Sequence, residues 1–155
     1  MPAPHRYQAT LTWSGAAAGP ASDYRTYSRA FRCEIAGKEP LLGSADPTFL
    51  GDPALHNPED HLLVAVAACH MLSWLALCVR KGIHVQSYAD QPEATMSWVG
   101  DTYAFTDLLL RPHSTILTGD AQAAMALHDE AHSLCFIARS VNFPVRHQAT
   151  VAIAG

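Results

Sequence analysis

The sequence predicts an α+β fold in a single domain spanning residues 1–155, and three observations carry that expectation. Strand-like segments stand next to other strand-like segments instead of alternating with helices, which favours antiparallel pairing over a parallel crossover sheet. One long helical segment, opening at Pro58 and ending before Gly82, is apolar nearly all round, as a helix at the centre of a core is. The chain has 155 residues, 49% of them hydrophobic and 15% charged, enough to bury a core and too apolar for disorder. The expected architecture is antiparallel sheets packed around a long buried central helix.

Each element has its own signal. Residues 7–13 (YQATLTW) alternate and stop at Ser14-Gly15, a first strand; residues 24–36 (YRTYSRAFRCEIA) are rich in aromatic and β-branched side chains, a second. Gly37-Lys38 marks a turn, followed by a short partner strand at 39–43. Residues 44–57 hold two prolines and a glycine and read as a loop long enough to be functional. Asn57 is a good N-cap, Pro58 suits the first helical position, and Glu59-Asp60 complement the helix dipole. Arg80-Lys81 and Gly82 supply the matching stop. Residues 83–99 form strands broken near Gln91-Pro92. Gly100-Asp101 is a hairpin turn and 102–111 a further strand. Gly119-Asp120 opens a second helix, a third short helix begins near Cys135, and 145–154 is a last strand.

Charge and termini narrow the function class. The net charge is -4, with no basic run, against nucleic acid and against a polybasic membrane tail. Leu62–Val79 reaches the length of a membrane span. His70, Ser73 and the many alanines inside it favour a core helix instead. The segment MPAPHRYQATLTW lacks the apolar region of a signal peptide, so the expected location is the cytoplasm.

Four cysteines, Cys33, Cys69, Cys78 and Cys135, then stand in a reducing compartment, where thiols do chemistry or pack inertly. Cys69 lies mid-helix between small side chains. Cys135 falls at a helix boundary, where local N–H groups would favour its thiolate. The two are 66 positions apart and could bond only if the fold brings their Cα atoms within about 7 Å. Glu59 has a bland role at the helix start. Arg25, Arg29 and Arg32 lie on the second predicted strand, 25 and 29 on one side and 32 on the other. His128 and His132 are spaced i, i+4, but no third metal ligand is evident. His70 points about 100° away from Cys69 around the helix, a poor base for that thiol.

These residues converge on a family. NPEDHLLVAVAACHM, YADQPEATMSWVG and LHDEAHSLCFIARSVNFPV resemble the OsmC/Ohr family of organic hydroperoxide reductases, and YRTYSR, LLGSADPTFLGD and FTDLLLRP resemble its OsmC-like branch. The resemblance covers about residues 7 to 153. It implies a thiol peroxidase with an OsmC-like fold and an intertwined homodimer. Cys69 would be the peroxidatic cysteine and Cys135 the resolving one. Glu59 would pair with an arginine that lowers the thiolate pKa and orients the peroxide, Arg29 first and Arg25 second. The substrate would be an organic hydroperoxide, suited by apolar Leu62, Val66, Leu72 and Phe136. No cofactor or metal is implied, only an external thiol reductant, a dihydrolipoyl protein or a low-molecular-weight thiol. Cys33 and Cys78 would be structural. The competing reading is a non-catalytic dimer that binds a small lipophilic ligand.

One inference concerns assembly. Glu59 and Cys69 are ten residues apart on a helix with neither proline nor glycine between them, about 15 Å along the axis. A twofold dimer with antiparallel helices would bring each Glu59 toward the partner subunit's Cys69. It would also explain a helix apolar on every side.

Overall fold

In the computed structural model, which describes residues 3–155, three strands, a long helix, four strands, a second helix and two strands follow one another. The internal contacts fall into two units, Met1–His61 and Leu62–Gly155.

The first unit holds β1 (Thr10–Thr12), β2 (Phe31–Glu34) and β3 (Leu41–Gly43) as an antiparallel meander. The second predicted strand is the chief revision here. Residues 24–26 form a turn, and only Phe31–Glu34 pair. Arg25 and Arg29 therefore precede β2, and Arg32 alone lies on it. The reason is local: the Asp23 carbonyl accepts the N–H groups of Thr26 and Tyr27, and its Oδ1 accepts that of Arg25. Those bonds close a turn that alternation alone does not reveal. At Gly43 any Cβ would run into the Phe31 ring, so the position requires glycine.

Helix α1 (Pro58–Arg80) starts as predicted. Asn57 Oδ1 accepts the Asp60 N–H at 2.8 Å and Asp60 Oδ2 accepts the Asn57 N–H at 3.1 Å, a reciprocal capping box. It ends at Gly82, whose φ of 70° is the left-handed conformation that glycine tolerates. Helix α1 is not buried all round within the chain. Val66, His70, Trp74, Leu77 and Cys78 face inward, whereas Val64, Leu72 and Val79 are 61, 61 and 74% exposed. By length and composition it could cross a membrane; its inner face is committed to the core.

The second unit contains two three-stranded sheets, ordered β4-β7-β9 and β5-β6-β8, and α2 (Ala121–Leu134). β4 (His84–Asp90) is joined to β5 (Glu93–Val99) by two residues, β6 (Thr102–Leu110) to β7 (Pro112–Thr118) by Arg111, and β8 (Val145–His147) to β9 (Thr150–Ile153) by two more. Each connection passes from one sheet to the other, so the sheets share a crease. There Asp90 Oδ1 accepts the Arg111 N–H at 2.7 Å, and the Leu110 carbonyl accepts the Gln148 N–H at 2.9 Å. The four pairings along the early chain are antiparallel, but β8 and β9 join in parallel, so the sheets are mixed. Strand β7 has no counterpart among the predicted elements. Its first residue is Pro112, tolerated at a strand start because only there is the missing N–H harmless.

Two apolar clusters fill this unit. Trp74, Leu77, Cys78, Ile83, Ile116 and Leu127 pack between α1, α2 and the β4-β7-β9 sheet. Val66, Leu108 and Leu110 pack against the other sheet. Fully burying one such side chain stabilises the fold by about 1.5–3 kcal/mol.

Candidate active site

Cys69 stands in the middle of α1, half-buried. Positions 65, 68, 69, 72 and 76 recur at steps of three and four and share one helix stripe. The alanines among them leave a cavity of about 630 Å³, walled further by Leu72, Leu134 and Phe136, with Ser73 and Arg80 its polar lining. Phe136 is 78% exposed, so the cavity opens outward. Of the predicted apolar surround, Leu72 and Phe136 line the cavity, whereas Val66 belongs to the core.

Cys135 approaches from α2. It caps the C-terminus of that helix, its N–H reaching the His132 carbonyl at 3.3 Å. The helical turn that follows is a short 3₁₀ segment, Ala138–Ser140, so Cys135 precedes it and does not sit within its first turn. Its Sγ accepts the Ala138 N–H at 3.4 Å. The Cys69 thiol neighbours that of Cys135, and both thiols are free. The expected stabilisation of a Cys135 thiolate is outweighed. Burial pushes this thiol up to about 11, the neighbouring Cys69 thiol pushes the same way, and the N–H groups of Ala138 and Ile137 only partly oppose it. Cys135 is thus neutral, and the half-buried Cys69 is the thiol presented to the cavity.

Cys78 is fully buried in the core, its thiol pushed up to about 11 by burial, which makes it inert. Cys33 lies on β2 opposite Leu11 and Leu41.

The arginines behave differently from one another. Arg29 stacks on the ring of Tyr27, 3.9 Å from the centroid, and on that of Tyr24, 5.0 Å away. Its guanidinium donates to the Tyr27 carbonyl at 2.5 Å and to the Tyr24 carbonyl. Arg25 lines a separate cavity with Tyr24, Thr48 and Leu50. Arg32 pairs with Glu34 at 3.1 Å. Glu59 sits in the first turn of α1, and its Oε2 is buried without a partner among the described residues. No ion pair joins it to an arginine there. Helix α1 is uninterrupted, so Glu59 and Cys69 remain ten residues apart on it.

The structure adds an arrangement that spacing did not reveal. His70 and His128, both fully buried, face each other, Nε2 to Nδ1, at 3.0 Å with rings stacked within 10° of parallel. Trp74 stacks on His128 at 4.8 Å, and His147 stands 5.5 Å from His70. Burial, with His147 nearby in both cases, lowers His70 to about 4 and His128 to about 3. The available signal was His128 on the same side of α2 as Ala124 and Ala131, both core positions. No group of three or more His, Cys, Asp or Glu among the described residues is arranged to hold a metal ion.

A Bacillus subtilis protein, YmaD, itself uncharacterised, is 26% identical over 106 residues, covering 64% of this chain and 70% of its own. The structure of an OsmC-like protein of unknown function from Vibrio cholerae superposes with a TM-score of 0.84 at 28% identity, over 94% of this chain and 99% of that one. An organic hydroperoxide resistance protein OsmC from Legionella pneumophila shares the fold, with a TM-score of 0.68 at 18% identity over 97% and 99%. Residues 51–150, which include Glu59 and both cysteines of the pair, match the family described as OsmC-like protein, and to that family this chain belongs.

Proposed function

We propose that the chain is a cysteine-based thiol peroxidase that reduces organic hydroperoxides to alcohols in oxidative-stress defence. The observation that carries this reading is the Cys69–Cys135 contact: one thiol lines an apolar cavity and the other, buried, neighbours it. Membership of the OsmC-like family supports a redox role. The organic hydroperoxide resistance proteins among the structural relatives support the substrate class.

In this mechanism the Cys69 thiolate attacks the distal peroxide oxygen. The O–O bond breaks, the alkoxide leaves and takes a proton to become the alcohol, and Cys69 becomes a sulfenic acid. The Cys135 sulfur then attacks the Cys69 sulfur. Hydroxide leaves with the Cys135 proton as water, and a disulfide closes. Two electrons from an external thiol, dihydrolipoyl or low-molecular-weight, restore both thiols. The cavity wall of alanines, Leu72 and Phe136 favours an alkyl peroxide over hydrogen peroxide.

A cation near Cys69 would stabilise the thiolate and the developing charge. That role falls to Arg29, with Arg25 second, and Glu59 would orient the arginine. With Glu59 Oε2 unpartnered among the described residues and Glu59 far along α1 from Cys69, the reading extends to a cytoplasmic homodimer whose sites use both chains. The exposed apolar face of α1 (Val64, Leu72, Val79) supports such an interface.

The decisive experiment is a thiol count before and after one equivalent of cumene hydroperoxide. Loss of two thiols, with Cys69 and Cys135 joined in the peptide map, is the expected result. Four thiols still titrating would overturn the peroxidase and leave a lipophilic-ligand binder.

A further inference from the structure

We infer that His70 and His128 are positioning residues for disulfide closure: their buried hydrogen bond holds the end of α2 that carries Cys135 against Cys69, and it does so only while both rings are neutral. This rests on the reading that Cys69 and Cys135 close a disulfide.

Three contacts between α1 and α2 carry the argument. Ascending α1, Cys69 meets Cys135, His70 meets His128 at 3.0 Å, and the Trp74 indole N–H donates to the Ala124 carbonyl at 2.9 Å. The partners run 135, 128, 124, so the helices cross antiparallel and the contacts form a ladder. The histidine pair is the middle rung and the thiols are the end rung. His128 and Cys135 are seven residues apart, two helical turns, and therefore project to the same side of α2. Beyond Leu134 the helix stops, so Cys135 depends on the rung below it for its place.

Proton accounting explains the dependence on charge. Two neutral rings hold two protons on four nitrogens, and one of these sits in the shared bond. The remaining nitrogens, His70 Nδ1 and His128 Nε2, are buried without partners among the described residues. A third proton must go on one of them. The result is a cation in the core with two unpaired N–H groups and no acceptor. The surroundings do not help. His132 on α2 and His147 on β8 would repel the charge. Asp129 on α2 is engaged with His147 Nε2 at 3.1 Å. Tyr88 on β4, across Trp74, is neutral, as is Cys135. Acid therefore favours arrangements in which the rings part and reach water, and the thiols part with them.

The test measures the equilibrium constant of the Cys69–Cys135 disulfide against the dithiothreitol couple, with a diselenide catalyst and acid-quenched alkylation, from pH 7 down to the lowest pH at which circular dichroism stays native. The thiols of dithiothreitol are protonated below pH 7 and ionisation of a protein thiol could only raise the constant as pH falls, so simple thiol chemistry does not lower it. The wild-type constant is expected to fall at least about ten-fold. His70→Gln with His128→Asn keeps a hydrogen bond at the same two atoms without a titrating ring. That constant should stay within about three-fold across the range. His70→Leu with His128→Leu keeps apolar volume but no bond, and should lower the constant about ten-fold already at pH 7. A pH-flat wild-type constant, or a leucine pair equal to wild type, overturns the inference. Should the leucine pair not fold, the wild-type pH series still decides. A disulfide that behaves as stated in a protein inert to cumene hydroperoxide would refute the peroxidase and leave this inference standing. Peroxide-driven loss of two thiols with a pH-flat constant would do the reverse.

Discussion

Acid should unfold this protein early, and the buried histidine pair sets the size of the effect. His70 and His128 titrate near 4 and 3 in the folded chain, against about 6.5 in an unfolded one. Both values are depressed, so the unfolded state binds more protons as pH falls below 6.5. Stability is fully present above pH 6.5 and declines down to about 4, where the folded rings also begin to charge. Each proton of difference removes about 1.4 kcal/mol per pH unit. Two protons over the two units from 6.5 to 4.5 remove on the order of 5 kcal/mol, a large share of the roughly 5–15 kcal/mol that holds a domain together. With a urea slope of about 2 kcal/mol per molar, the unfolding midpoint should drop by roughly 2.5 M. Equilibrium urea unfolding followed by tryptophan fluorescence at fixed protein concentration measures it. The His70→Gln, His128→Asn variant should lose much less. A wild-type midpoint that moves by under about 0.5 M would show that neither ring is held neutral by its surroundings.

The thiols give sharper outcomes. Cys69→Ser should abolish turnover of cumene hydroperoxide, while Cys135→Ser should consume one equivalent and then stall as a sulfenic acid that dimedone traps. Wild-type-like turnover of Cys69→Ser would reverse the assignment. At pH 8 a thiol held near 11 is ionised to about one part in a thousand. Cys135 should therefore react with iodoacetamide over about 100-fold more slowly than free glutathione, read by peptide mapping; equal rates would mean that it is neither buried nor shifted. Finally, Glu59→Ala chains mixed with Cys69→Ser chains, each inactive alone, should recover about half the activity of one intact dimer. No recovery after verified subunit exchange would sink the shared site.

How much of this could be read from the residues differs by element. Helix α1 was legible because cap, dipole and stop signals agree at Asn57, Glu59 and Gly82. The thiol pair was legible through its two sequence contexts, although nothing in them shows that Cys135 would be buried. Strand β7 was not legible because Pro112 reads as a breaker until its place at the crease is known. Arg25 and Arg29 were assigned to a strand because aromatic alternation resembles one, while the Asp23 turn that displaces them is side-chain chemistry. The His70–His128 bond joins residues 58 apart, and no local pattern encodes a contact between helices.

The crease has a consequence for how this chain is made. Its last ribbon, β8 followed by β9, supplies one edge strand to each sheet, pairing with residues 108–110 and 113–116. On a ribosome, α1, the β4-to-β7 strands and α2 all emerge before that ribbon exists. Until residue 153 is free, Leu108, Leu110 and Ile116 belong to strands with one side unpaired, and neither sheet is complete. Non-local pairing of this kind is slow and leaves edges open to other nascent chains. The growing polypeptide should therefore be most dependent on chaperones in the interval between release of α2 and release of the β8–β9 ribbon.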